Sequence, residues 1–236
     1  MSKHDVLMCA SSTGDASQAD LSGTSLSGME LIGLTFTGSD LRDANLSSAN
    51  LSGSIFDNCD LRGANLSSSN FTGASFKKAL LEKADLTFST FAGADFSHAE
   101  LKGANFTNSK LSSAHFEKAD LTEANLQMCD AVMVQCAGAT MVKVHARGAS
   151  MIGADLAGCD LRGANLHGTD LSNADLASAD LRDADILEAT FTAAVLTNAD
   201  LRGARFRRTD LTRAKLAGLR HDPELAEMLS RYARKK

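Results

Sequence analysis

Residues 40–66 read DLRDANLSSANLSGSIFDNCDLRGANL, with a large apolar residue at every fifth place: Leu41, Leu46, Leu51, Phe56, Leu61 and Leu66. The same register extends from Leu21 to Leu216. Of its forty central positions 37 hold Leu, Phe, Ile or Met, and only Ala131, Cys136 and Ala146 depart. Two places before each centre, 36 of forty residues are Ala, Ser, Thr or Cys; the exceptions are Met29, Leu34, Val134 and Val144. No insertion or deletion breaks the count. With the centre written i, positions i−2 and i are apolar and i−1 is usually polar, the in–out–in alternation of a short strand. Seventeen of the eighteen glycines stand at i+2, and Asn, Asp, Ser and Lys supply most of the rest. That preference marks a turn residue with positive φ. Each repeat is therefore expected to be a three-residue strand followed by a turn. A helix is excluded, because a period of five cannot keep one face of a 3.6-residue helix buried.

Runs such as Ala44-Asn45-Leu46, Ala64-Asn65-Leu66 and Ala174-Asp175-Leu176 follow the pattern A-(D/N)-L-x-x. This closely resembles the pentapeptide repeat family, over residues 19–218. The resemblance implies an all-β fold, a right-handed four-sided parallel β-helix in which four repeats make one twenty-residue coil. A second period in the chain itself agrees. Every twentieth residue from Phe36 gives Phe56, Phe76, Phe96 and Phe116. The hexapeptide DLRDAN from Asp40 returns, with variation, from Asp60, Glu100, Asp160, Asp180 and Asp200. It sets a column of acids at i−1 beside a column of bases: Arg42, Arg62, Lys102, Arg162, Arg182 and Arg202. Opposite charges on neighbouring ladders relieve the repulsion of like charges stacked ~4.8 Å apart. About ten such coils would make a rod about 48 Å long.

Residues 1–18 lack the repeat and are expected to cap the first coil. Val6 to Ala10 is too short for a signal-peptide core and no run reaches membrane-spanning length, so a cytoplasmic location is expected. Residues 219–236 read as a short C-terminal helix. Asp222-Pro223-Glu224 has the features of a helix start, and Leu225, Met228, Leu229 and Tyr232 form one apolar stripe. That stripe either caps the last coil or pairs two molecules end to end, as a similarly placed element does in dimeric members of the family.

Nothing in the pattern points to catalysis, a metal or a cofactor. Cys59, Cys129 and Cys159 occupy small packing positions, and no metal-ligand or disulfide spacing occurs. The histidines pair on the coil, His98 with His115 and His145 with His167, without a third ligand. The outward Asp residues form ladders rather than converging on a pocket, so binding is the expected activity.

Three zones stand out. In 128–152 the centres shrink while Val134 and Val144 enlarge their neighbours, and Met128, Val132, Met133, Val142 and Ile152 occupy normally solvated places. Residues 1–200 carry a net charge of −12 and residues 201–236 one of +7. The sharpest acidic stretch, expected to form one partner-binding acidic face, holds Asp155, Asp160, Asp170, Asp175, Asp180, Asp183, Asp185 and Asp200. Arg202, Arg205, Arg207, Arg208, Arg213 and Lys215 follow.

Two functions fit. A rod with ladders of carboxylates can imitate duplex DNA. Resemblance to the Qnr-type quinolone-resistance proteins implies a type II topoisomerase, DNA gyrase or topoisomerase IV, as partner, with inhibition or drug protection as the outcome. The other reading is a scaffold or regulatory protein that binds another protein through its apolar patch. Direct nucleic-acid binding is not expected, because charges are mixed and aromatics scarce.

Overall fold

The computed structural model of the chain describes residues 5, 6, 8 and 12–227. Its backbone is one continuous ladder. Parallel bridges join each residue at i−1 to the residue twenty places on, from Asp15↔Thr35 through to Asp200↔Arg220. Twenty residues thus make one circuit of four sides. Side one carries the centres Leu21, Leu41 and every twentieth residue after; sides two, three and four begin at Leu26, Leu31 and Phe36. The ladder starts one repeat earlier than the apolar pattern. Ala16 is buried at a centre and Gln18 takes φ +55°, so residues 15–18 already follow the coil rather than a separate cap. Ala16 escapes an apolar count because it is small.

The expected three-residue strands are narrower than the alternation suggests: each side contributes a single bridged residue. The cause is the turn. Every fifth residue from Gln18 to Gly218 lies at positive φ, between +53° and +74°, whether glycine or not. This bends the chain through a corner immediately after the centre.

One repeat shows how the backbone is satisfied. Leu41 N–H donates to Asp60 O at 2.7 Å and Asp43 N–H to Arg62 O at 3.1 Å, both on the following coil. Ala44 N–H closes the turn onto Leu41 O at 3.0 Å, and Asn45 N–H reaches back to Thr24 O at 2.9 Å. Arg42 N–H has no carbonyl to meet and donates instead to Oδ1 of Asp40, at 3.1 Å. Asp and Asn are therefore favoured at i−1, because their side chains cap the one amide that the coil leaves over. The same bond recurs from Ser67 to Asn65 and from Ala177 to Asp175.

The interior is filled by the centres. Phe36, Phe56, Phe76, Phe96 and Phe116 stack at 4.7–4.9 Å with nearly parallel rings. That distance matches the separation of hydrogen-bonded strands, so ring stacking and backbone pairing share one repeat. Phe71 and Phe91 form a second stack at 5.1 Å and meet the first edge-on. Small residues at i−2 complete the wall. Where a buried one carries a hydroxyl it is bonded: Ser69 Oγ donates to Leu46 O at 2.8 Å and accepts from Ala49 N–H at 3.2 Å.

The irregular stretch keeps its register. Ala131, Val134, Cys136, Met141 and Met151 help line an apolar void of only about 10 Å³. With no polar partner in its wall, such a space stays dry. At the C-terminal end residues 223–227 are helical and Leu225 is buried. The Asp222 carbonyl accepts the first helical bonds, but its carboxylate does not cap the helix. Oδ2 accepts Gly203 N–H at 2.6 Å, where a further coil would have supplied a carbonyl. Met228, Leu229 and Tyr232 lie outside the described residues.

Because each coil contacts only its neighbours, removing one ring from the middle of the Phe column should destabilise the rod locally and strongly. Phe76→Ala is expected to cost about 3–5 kcal/mol in denaturant unfolding. A change below about 1 kcal/mol would show that the column does not carry the packing assigned to it.

Candidate protein-interaction faces

On side one the two charged columns lock together. Arg162, Arg182 and Arg202 each fork onto the Asp two residues before them, at 2.6 Å from Asp160, Asp180 and Asp200. Arg42 and Arg62 do the same with Asp40 and Asp60. Some forks also reach the next coil: Arg42 Nε lies 3.7 Å from Asp60 and Arg162 Nε 4.0 Å from Asp180. Charge-assisted hydrogen bonds from these guanidiniums hold the five carboxyls below their ordinary range. Asp200 is the extreme case. Its side chain is 3% exposed, Arg220 adds a second contact at 3.4 Å, and its pKa falls to about 2, with the Arg202 hydrogen bond the largest cause.

The eight carboxylates expected to form one acidic face do not share a face. Asp160, Asp180 and Asp200 lie on side one, and Asp183 stands at the corner that follows it. Asp185 lies on side two, Asp170 on side three, and Asp155 and Asp175 on side four. The corner every five residues carries neighbouring repeats to different sides, so closeness in sequence is not closeness on the surface. Bases compensate several of them: the side-one forks, and Arg205 at 3.3 Å from Asp185. Asp155, Asp170 and Asp175 make no ion pair among the described residues. Each spends Oδ1 on its own turn amide, at 2.9–3.0 Å.

Sides three and four, between residues 130 and 198, form a distinct surface. Their outward positions hold Asp130, Asp155, Asp170 and Asp175 and no Lys, Arg or His; the bases of that stretch all fall on sides one and two. The apolar residues join this surface with one exception. Val132 and Ile152 lie on side three, Met133 at its far corner and Met128 at its near corner. Val142 lies on side one, opposite, and is not part of the patch. Sequence reasoning missed Phe88, the most exposed of the large apolar residues among those described, at 65%. It occupies a corner two coils before Met128, and an aromatic where the pattern calls for Gly or Asn was the available signal.

The remaining candidates for chemistry are structural. Cys59 Sγ donates to Phe36 O at 2.8 Å, and burial pushes its pKa, like those of Cys129 and Cys159, up to about 12. Cys136, fully enclosed, shifts the same way. Thiols so protonated are poor nucleophiles. His115 Nδ1 meets Glu117 at 3.1 Å, and His167 stands 3.8 Å from Glu188. Among the described residues no group of His, Cys, Asp or Glu could hold a metal ion, and no helix is long and apolar enough to cross a membrane.

A ladder solenoid with columned charges and small outward residues is a repeat protein of the β-helical type. Two family signatures match it: "Pentapeptide repeat region" over residues 17–88 and "Pentapeptide repeats (8 copies)" in overlapping segments from 69 to 131 and from 134 to 220. The chain belongs to the pentapeptide repeat family. Among solved structures it resembles HetL, a pentapeptide repeat protein involved in heterocyst differentiation regulation from the cyanobacterium Nostoc sp. strain PCC 7120. Identity is 28% over 93% of this chain and 96% of that one, with a TM-score of 0.71. A trypsin-treated form of QnrB1, a plasmid-mediated fluoroquinolone resistance protein, is 23% identical over 93% and 96% of the two chains, with a TM-score of 0.48. No curated protein matches.

The lowered pKa of Asp200 makes stability depend on acid. A carboxyl whose folded pKa lies below its unfolded value stabilises the fold above the unfolded pKa and loses that contribution as pH falls through the folded one. The Asp200 contribution should therefore be complete above about pH 4 and decline toward about pH 2. Asp200→Asn should lower the melting temperature at pH 7 and flatten its fall between pH 4 and 2. An unchanged acid profile would show that the buried fork contributes nothing.

Proposed function

We propose that this protein is a non-catalytic binding rod that regulates another protein by contact through sides three and four. The observation that carries this is a coincidence on one surface: exposed apolar side chains beside carboxylates that make no ion pair among the described residues. Exposed apolar patches bordered by polar groups are the usual mark of a protein contact. The likeness to HetL, whose described role is regulatory, supports the same class of activity. End-to-end pairing of two copies through residues 219–236 is compatible with this reading and leaves sides three and four free.

DNA mimicry toward gyrase or topoisomerase IV is the second reading, and the base-free run of Asp130, Asp155, Asp170 and Asp175 is what favours it. Magnitude counts against it. Four carboxylates over roughly 17 Å of rod give about one charge per 4 Å, against one per about 1.7 Å for duplex DNA. Five of the side-one acids, Asp40, Asp60, Asp160, Asp180 and Asp200, add little, because each of these is held by an arginine.

Val132→Asp with Met133→Asp should abolish capture of the partner while leaving circular dichroism and melting unchanged. Thr122→Asp, on side one, should leave capture intact. Undiminished capture by the double variant would remove sides three and four as the contact. Gyrase supercoiling should proceed unaltered at micromolar protein; inhibition relieved by Asp155→Asn, Asp170→Asn and Asp175→Asn together would establish mimicry instead.

A further inference from the structure

The corners single out three residues. Position i+2 is held at positive φ throughout, a conformation that Gly adopts freely and that bulky side chains resist. Its other occupants are small, polar or charged; only Phe88, Met128 and Met133 are large and apolar, at φ +58°, +56° and +56°. They are also exposed, at 65%, 63% and 58%. Each is disfavoured twice, by its backbone and by its solvation. Strained residues of this kind persist where the side chain has a task.

All three border side three. Phe88 and Met128 lie on its near edge, two coils or about 10 Å apart, and Met133 lies on its far edge. The floor between the edges carries Ala92, Ser112, Val132 and Ile152 after the centres and Thr90, Lys110, Asp130 and Ser150 before them; its one base and one acid adjoin on the ladder and leave it without net charge. Glycine at the same corner of the next coil makes room for Met128 to lie along the rod, and Met133 lies in ordinary contact range of Gly153. A Cβ on Gly148 would fall 2.7 Å from Met128 Sδ, and one on Gly153 would fall 3.6 Å from Met133 Cγ. Methionine and phenylalanine side chains are adaptable apolar anchors, common at protein contacts. Toward the C-terminus the same surface continues into Asp155, Asp170 and Asp175, which make no ion pair among the described residues.

We infer that Phe88, Met128 and Met133 anchor a docking surface for a basic, apolar polypeptide segment of another protein. This rests on the protein-binding reading above and adds the chemistry of the partner. Charge complementarity selects the occupant: the carboxylates attract Lys and Arg, repel nucleic acid, and would face one another if two copies paired through this side.

The test uses the full chain and two synthetic probes, an 18-residue helical peptide of Lys and Leu and its Glu/Leu counterpart, with fluorescence anisotropy as the readout. The Lys/Leu peptide should bind and the Glu/Leu peptide should not. In the variant Phe88→Gly, Met128→Gly, Met133→Gly, affinity should fall at least tenfold while the melting temperature holds or rises, since Gly relieves the corners. Unchanged affinity in that variant would overturn the anchors. Equal binding of both peptides, or no binding, would overturn the partner chemistry; loss of capture by the Val132/Met133 double variant would then still uphold protein binding. A dimer seen by sedimentation and lost in the glycine variant would make the occupant a second copy and overturn the proposal.

Discussion

A chain that turns a corner every five residues must place its amides where a neighbouring coil can accept them, and the rest of this structure follows from that constraint. The corner residue at positive φ directs its N–H at the next coil, the centre does likewise, and the bridged residue pairs backward. Only the amide at i+1 is left, and the Asp or Asn before the centre takes it. Side chain and backbone thus form one closed system in which the repeat motif is a hydrogen-bond requirement. Glycine at the corner and Asp or Asn at i−1 are two halves of the same turn.

Stacking then fixes what each column can hold. Equivalent positions recur at the ring spacing of 4.7–4.9 Å, so each side chain meets the residue twenty places away above and below, and in a column of one residue type it meets its own kind. For Phe this is favourable; for Asp it is not. The forks on side one resolve the conflict for Asp40, Asp60, Asp160, Asp180 and Asp200 by giving each its own guanidinium, with some reaching a second coil. Exposed ion pairs contribute little singly, but here they allow an acidic turn residue to repeat on one side without accumulating charge. Asp155 and Asp175 have no such partner, although they serve the same turn.

Much of this was readable from residue order. The period of five, the apolar centres, the Phe column and the acid–base columns all depend on local chemistry repeated at fixed intervals. Ala16 was not readable as a centre because the corner at Gln18, rather than side-chain size, recruits it to the ladder. The width of the strands was overestimated because alternation of polarity does not reveal how soon the chain bends. Sorting Asp155 to Asp200 by side needed only the twenty-residue period applied to residue numbers; grouped by closeness in sequence, they fall on all four sides. Phe88 was likewise readable, as an aromatic at a corner position, once each departure from the pattern is weighed. The carboxylate of Asp222 was hidden for another reason: it departs from what a helix start usually does, and only geometry shows that it accepts Gly203 N–H instead.

In a solenoid of this regularity the scaffold is set by the recurring residues, so departures from the pattern carry most of the information about recognition. Those departures are of two kinds here. Ala131, Cys136, Val134 and Val144 exchange volume within the core and leave the backbone register unchanged. Phe88, Met128 and Met133 exchange nothing inside; they alter only the edge of side three, at a conformational cost the array can bear because its many other repeats are satisfied. Removing bases from sides three and four adds no stability either, since the carboxylates there lose the compensation that side one enjoys. Two unfavourable features on one surface, independent in cause, make sense together if the surface is completed by something basic and apolar from outside.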